Sequence, residues 1–455
     1  MSAKSMKVTD MTKGNPLRLI LTFALPILIG NIFQQVYSIV DTMVAGYNLG
    51  DSAIAAIGAT SSLYALIIDL AWGMNSGFAL VVTRAFGAHD EAEVRKAVAG
   101  TVMLDGAVTI ALTVVSLILL RPLMHLMNTP ESIFSDAYIY MFIICAGMIG
   151  TITYNMFASL LRSFGNSVVP LYFLIFSSVM NILLDLLFVG PMKMGVAGAA
   201  LATVISELLS AILSGAYYFR NYKPMVPGKE DFRISGELFR ELASNGSAMA
   251  FMYSVVNLGS VFFQGANNKL AETLGEGIIT AHTAARRIIG IMMTPLGTVT
   301  GAAATYIGQN YGAKEMKRVK EGLKDELFIV AGWGVFACAV IYLFGSQLVR
   351  FTTGTTDAEV LKNAMMSLRI HLPLYPALGV LLALRTAMQA VNIKTPTVVS
   401  SSIELAMKII AAAWLIPKLG FIGTCITEPI TWVLCAVFLI AVYWRKRNGL
   451  YKSAH

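Results

Sequence analysis

The strongest constraint on this chain is a series of long apolar runs. A helix that crosses a bilayer needs about 20 mostly apolar residues. Runs of that kind recur twelve times, near residues 16–45, 54–80, 97–120, 134–158, 168–190, 195–219, 240–265, 278–305, 324–345, 360–386, 396–416 and 420–444. The sequence therefore predicts an all-α integral membrane protein with twelve transmembrane helices.

Composition excludes the soluble classes. Of the 455 residues, 56% are hydrophobic and 13% are charged, whereas soluble domains carry about 25% charged residues. Disorder is excluded as well, because disordered chains are rich in polar residues. No Walker, HExxH or nucleophile-elbow motif occurs in the sequence. We therefore expect a non-enzymatic membrane protein, without catalytic residues or a cofactor.

Basic residues divide unequally between the two sets of loops. Most of the 34 lysines and arginines, including Arg84, Arg162 and Arg385, are assigned to the termini and the even-numbered loops. By the positive-inside rule, both termini then face the cytoplasm of a cell whose inner (plasma) membrane holds the protein. The net charge of +8 reflects this topology, so nucleic acid is not an expected partner.

The two halves of the chain repeat one another at a nearly constant offset. Residues 84–88 match residues 309–313, and Gly195 matches Gly420, in each case 225 positions later. Because each half contains six spans, both halves enter the membrane in the same direction, as in many alternating-access transporters. The predicted domains are an N-terminal six-helix lobe (1–222), a cytoplasmic connecting loop (223–236) and a C-terminal six-helix lobe (237–455).

Ionisable residues inside a span indicate function, because a charge at the bilayer centre costs at least about 2.5–3.5 kcal/mol. In the first span, Asp41 ends a polar stripe at helical spacing, and Pro26 below it predicts a hinge. We expect the stripe to line a cavity, and the alternative is an Asp41 that caps the outer helix end. The other cavity-lining candidates of this span are Asn31, Gln34, Tyr37 and Ser38.

Polar residues of the fifth and sixth spans are expected near Asp41. Asn181 and Asp185 lie one turn apart on one helix face, and Thr203 follows in the next span. Asp41 and Asp185 lie roughly 8 Å, and Thr203 roughly 12 Å, from the outer ends of their spans. These oxygen ligands suit a metal ion such as Na⁺, and the two carboxylates suit a proton as well. The predicted coupling ion is therefore H⁺ or Na⁺.

Other charges inside the spans are less specific. Asp69 and Glu207 lie near the middle of the second and sixth spans, where they are further cavity-lining candidates. Arg286 and Arg287 of the eighth span either line a cavity for anionic groups or pair with an acid.

Two further patterns occur in the tenth and eleventh spans. Glu404 and Lys408 are spaced for mutual neutralisation on one helix. Pro373 and Pro376 predict a broken or kinked tenth span.

Together these features resemble the multidrug and toxic compound extrusion (MATE) family. The resemblance rests on the Pro26 to Asp41 segment, the set Asn181, Asp185 and Thr203, the matched loops and the twelve-span duplication. It implies a V-shaped pair of lobes around a central cavity, with cationic or amphipathic compounds exported in exchange for inward H⁺ or Na⁺.

By that resemblance, Asp41, Asn181, Asp185 and Thr203 form the cation site, and the first helix bends at Pro26. The seventh span, 250–268, lacks an acid, so the chain looks closer to the DinF-like than to the NorM-like branch. Small drug-like compounds and the lipid bilayer are the expected partners, and the protein is expected to be a monomer.

Two alternatives remain open. A flippase for a lipid-linked precursor would use Arg286 and Arg287 to meet a pyrophosphate. An intramembrane aspartyl protease would use Asp41 and Asp185, but the sequence contexts typical of that dyad are absent.

Overall fold

The computed structural model describes residues 9–275 and 277–452, which are almost entirely helical. Short loops join the helices of the N-terminal half. These helices are α1 (Pro16–Leu49), α2 (Asp51–Gly87), α3 (Glu91–Leu126), α4 (Glu131–Ala146), α5 (Met148–Ser163), α6 (Val168–Val189) and α7 (Gly195–Asn221).

The C-terminal half follows two short 3₁₀ turns within residues 223–232. Its helices are α8 (Gly236–Leu274), α9 (Gly277–Gly312), α10 (Met316–Thr353), α11 (Ala358–His371), α12 (Tyr375–Ala390), α13 (Thr395–Ile410), α14 (Ile416–Leu419) and α15 (Phe421–Lys452). A π-helical turn, Ala411–Leu415, joins α13 to α14.

The helices have the length and composition of membrane spans. In the described ranges, 11 helical segments can cross a bilayer, and the pair α4 and α5, bent by 46°, completes a set of twelve. Large apolar side chains such as Ile118, Val261 and Leu343 are more than 60% exposed, as expected for helices in contact with lipid. The predicted all-α membrane fold with twelve spans is confirmed.

Prolines interrupt some spans but not others. The tenth span is broken as predicted, because α11 ends at His371 and a 3₁₀ turn that contains Pro373 leads into α12. In contrast, α1 and α15 run through Pro26 and Pro429 without interruption.

The internal repeat extends to the backbone geometry of the turns. His89 after α2 and Lys314 after α9 both have a positive φ, 58° and 61°, which is uncommon for residues other than glycine. Gly195, the first residue of α7, and Gly420, directly before α15, agree as well, with φ angles of 63° and 59°. The pairs are separated by the offset found in the sequence, so duplication explains the fold of both halves.

The described residues form two compact units. The first contains residues 9–10 and 25–250, and the second contains residues 11–24 and 251–452. Two helices are therefore divided: α1 changes unit at residue 25, directly before Pro26, and α8 changes unit after Ala250. The lobe boundaries drawn from the sequence at residues 222 and 237 stay a prediction.

The segment before α1 is bound to the second unit by its backbone. Met11 donates its N–H to Gln309 Oε1 at 3.1 Å, and its carbonyl accepts from Asn310 Nδ2 at 3.1 Å. Arg318 donates to the carbonyls of Gly14 and Met11, at 2.9 and 3.1 Å. Gln309 and Asn310 lie in the last turn of α9, within the repeated segment 309–313, so this segment fixes the start of α1.

Within the first unit, α2 packs backbone to backbone on α8. A Cβ atom at Gly77 would lie 2.4 Å from the carbonyl oxygen of Asn245, and one at Gly73 would lie 2.7 Å from Ala250 Cα. Two glycines four residues apart permit this approach, as in the small-residue motifs of membrane helices.

Substituting Gly77 tests this packing. Because the atoms in the way are backbone atoms of α8, Gly77→Ala is expected to destabilise the protein by about 1–3 kcal/mol, the usual cost of overpacking. Gly58→Ala is the matched control, since that position on the same helix has nothing within 4 Å. Thermal unfolding in detergent should show a lower midpoint for Gly77→Ala alone, and equal midpoints for the two variants would contradict the packing.

Candidate coupling site

The candidate site of the first unit is built around the side-chain amide of Asn181. In the orientation that satisfies both ends of the amide, Nδ2 donates to Asp185 Oδ2 at 3.0 Å and to the Tyr37 hydroxyl at 2.7 Å. Its oxygen accepts from the Thr203 hydroxyl at 3.2 Å and from the Thr203 N–H at 3.0 Å. Helices α1, α6 and α7 therefore meet at one amide.

The two aspartates of this site are in contact. The carboxyl groups of Asp41 and Asp185 lie close enough to interact directly. Asp185 is 1% exposed, and its Oδ1 receives no hydrogen bond from a donor in the part of the chain that the structure describes. Asp41 is half-buried. The four residues that the sequence selected for the ion site thus lie together.

The polar stripe of α1 does not reach the site as a whole. Tyr37 and Asp41 do, one turn apart on the helix. Gln34 and Ser38 are exposed, and Asn31 is half-buried.

A second acidic group extends the site. The hydroxyl of Thr151 on α5 donates to Glu207 Oε2 on α7. Glu207 acts electrostatically on Tyr64 and Tyr140, and Asp69 acts on Tyr64. The predicted candidates Asp69 and Glu207 therefore both act on Tyr64, and Glu207 acts on Tyr140 as well.

Sequence reasoning missed Tyr64, Tyr140 and Thr151. The available signal was weak, because tyrosine and threonine are common in apolar helices and only charged residues are costly there. The charges that act most strongly on Tyr37, Tyr64 and Tyr140 are all carboxylates. The interior of the first unit is therefore acidic around these residues.

Two further buried acids were missed. Asp105 on α3 is buried and hydrogen-bonded to Asn75. Glu326 on α10 is fully buried, and neither of its carboxyl oxygens has a hydrogen-bond donor among the described residues.

The second unit holds a network of opposite charges. Arg286 Nη1 lies 2.6 Å from Glu428 Oε1, so the expected pairing of one of the two arginines with an acid is confirmed. Arg287 is exposed. Lys408 Nζ lies 3.5 Å from Glu404 Oε1, as the spacing on α13 predicted, and 3.8 Å from Glu428.

The placement of Arg385 in a cytoplasmic loop was wrong. Arg385 lies within α12, is 3% exposed, and contacts Glu404 Oε2 at 3.3 Å and Ser400 at 3.0 Å. An acid on the neighbouring α13 compensates the buried guanidinium, which a count of charges along the sequence does not reveal. Arg84 and Arg162 lie in the last turns of α2 and α5.

Comparison with known proteins identifies the family to which this sequence is similar. Residues 26–187 and 248–414 match the family model described as MatE. The chain is 26% identical to the "Probable multidrug resistance protein YpnP" of Bacillus subtilis (strain 168), with 97% of the chain and 98% of the relative covered. It is 24% identical to the "DNA damage-inducible protein F" of Escherichia coli (strain K12), covering 95% and 93%.

A solved structure titled "Crystal structure of MATE in the bent conformation" has the same fold. Its TM-score is 0.90 at 21% identity, with 98% of this chain and 100% of that chain covered. The assignment to the DinF-like branch stays a prediction.

The family model covers most of the chain, and both halves of the repeat contribute to it. Its members are membrane transporters, which excludes the intramembrane protease considered from the sequence. The chain belongs to the MatE family of multidrug efflux transporters.

Proposed function

We propose that the protein is a secondary antiporter that exports small cationic or amphipathic compounds in exchange for protons, which enter at Asp41 and Asp185. The observation that carries this proposal is that the buried Asp185 lies beside Asp41, at the Asn181 amide where α1, α6 and α7 meet. We place the protein in the plasma membrane as a monomer, with both termini in the cytoplasm.

The contact between the carboxyl groups is a chemical argument for a proton. A carboxylate only accepts hydrogen bonds, so two neighbouring carboxyls can bond to each other only after one of them takes up a proton. Two adjacent negative charges inside a low-dielectric bundle repel strongly. The shared proton also provides a partner for one oxygen of the buried Asp185.

The side chain of Asn181 is compatible with either ion. With its nitrogen towards Asp185 the amide donates to the carboxyl group, whereas with its oxygen on that side it offers the kind of ligand that Na⁺ binds. We therefore base the choice of a proton on the carboxyl pair alone.

Helix α1 connects the proton site to the rest of the molecule. Its start is fixed in the second unit through Met11 and Arg318, its outer part belongs to the first unit, and it changes unit beside Pro26. Protonation removes the repulsion at Asp41 and allows α1 to bend at Pro26. Substrate and proton oppose one another, since a ligand shifts a conformational equilibrium only by its differential affinity.

Neutralising either aspartate should abolish coupled transport. Asp41→Asn and Asp185→Asn remove the shared proton but keep the size of the side chain, so we expect gradient-dependent drug efflux from vesicles to fall at least about tenfold, the effect of a lost charged hydrogen bond. Asp136→Asn, an exposed acid on α4, is the control and should leave efflux unchanged. Efflux at the wild-type rate from both site variants would contradict this mechanism.

The identity of the ion can be tested by collapsing each gradient separately. In proteoliposomes loaded with a fluorescent cationic dye, we expect efflux to stop when the pH gradient is dissipated and to continue when Na⁺ is equalised. The opposite pattern would assign coupling to Na⁺. Efflux that is insensitive to both gradients would reject secondary antiport.

The hinge role of Pro26 predicts a separation of binding from transport. Pro26→Ala restores a backbone hydrogen bond within α1 and straightens it, so we expect slower efflux with dye affinity within about twofold of the wild type. Pro122→Ala, a proline inside α3 of the same unit, is the matched control. Equal efflux rates for the two variants would argue against a hinge.

A further inference from the structure

We infer that the second unit carries an anion-binding subsite at Arg286 and Arg287, which recognises a carboxylate or phosphate group on an organic substrate. This inference deepens the proposed export function and rests on it. It follows from the charges, exposure and hydrogen-bond donors of one side-chain network within residues 251–452.

The network has more positive than negative charge. Glu404 contacts Arg385 and Lys408, at 3.3 and 3.5 Å, and Glu428 contacts Arg286 and Lys408, at 2.6 and 3.8 Å. Three cationic side chains thus share two carboxylates within the described part of the chain. A buried excess charge is costly without a partner, so an anion bound at the exposed end of the network would be stabilised by it.

The exposed end of the network lies at Arg286, and Arg287 is the next residue of α9. The side chain of Arg286 is 37% exposed, whereas Glu428 and Lys408 are below 10%. Arg287 is exposed as well. Both arginines lie about 14 Å along α9 from its first residue. Because an arginine exposed to lipid within a span is costly, we place both side chains in contact with water.

A hydrogen-bond donor without an acceptor also lies close to Arg286 on α9. Asn267 Oδ1 accepts from Thr424 at 2.6 Å, so its Nδ2 donates to His282 Nε2 at 3.3 Å. The proton of the neutral imidazole therefore lies on Nδ1, which is buried and has no acceptor in the described ranges. His282 precedes Arg286 by one helical turn, so donors exceed acceptors along this face of α9.

The chemistry of the arginines selects the ligand. Glu428 binds Nη1 of Arg286, and a guanidinium offers five donors. Among the described residues, the guanidinium of Arg287 has no hydrogen-bond or ion-pair partner. An arginine fork matches the planar oxygens of a carboxylate or the oxygens of a phosphate, and a second arginine nearby adds to the attraction. We therefore expect substrates with an apolar body and one such anionic group.

Flavin mononucleotide and riboflavin are suitable probes, because they differ only in a phosphate group and are both fluorescent. Titration of the full-length protein in phosphatidylcholine nanodiscs, without any gradient, should show at least about tenfold tighter binding of flavin mononucleotide. Arg287→Gln should remove that preference and leave riboflavin affinity within about twofold. Arg350→Gln, which removes an exposed charge at the end of α10, should retain it.

A double variant controls for misfolding. Arg286→Gln alone leaves Glu428 buried without its partner, so Arg286→Gln with Glu428→Gln removes the ion pair as a whole and should also abolish the preference. Equal wild-type binding of the two flavins, or an unchanged preference in Arg287→Gln, would overturn the subsite. Displacement of flavin mononucleotide by added phosphatidylglycerol would assign the subsite to a lipid headgroup and overturn substrate recognition.

The binding assay separates this inference from the proposed function. A preference for the phosphorylated flavin together with efflux that ignores ion gradients would retain the subsite and reject the antiport. Gradient-driven export of a cationic dye without any flavin preference would retain the antiport and reject the subsite.

Discussion

The cost of an ionic charge inside a bilayer determines the organisation of this protein. Each deep charge needs a partner, and the two units supply partners in different ways. In the first unit, Asp41 and Asp185 lie beside each other, where one proton can serve both carboxyl groups. In the second, Arg286, Lys408 and Arg385 are compensated by Glu428 and Glu404. An acidic interior and a basic interior are thus built on the same repeated helical scaffold.

Duplication explains why one helical scaffold supports both the acidic and the basic interior. The turns after α2 and α9 share an uncommon positive φ at His89 and Lys314, so the backbone was retained while the side chains inside the spans diverged. The repeated segment 309–313 also acquired a separate role in the second half, because its residues Gln309 and Asn310 bind the segment that leads into α1. The helix that carries Asp41 is consequently connected to both units.

Much of this architecture follows from the sequence. The length of the apolar runs predicted the membrane spans, because the thickness of the bilayer sets the length that a span needs. The i to i+4 spacing of Asn181 and Asp185 placed both residues on one face of α6. The predictions that failed concern residues whose neighbours in the fold are distant in the chain. Arg385 reads as a loop charge until Glu404 of α13 lies beside it. Tyr64 and Tyr140 carry no charge, so only the fold reveals that they face Glu207.

The central claim is that substrate and proton compete through the pair Asp41 and Asp185. Proton release can be measured directly by adding tetraphenylphosphonium to the purified protein in weak buffer. We predict release of about one proton for each bound cation, and none from the Asp185→Asn variant. Binding without proton release, or equal release from the variant, would contradict the account.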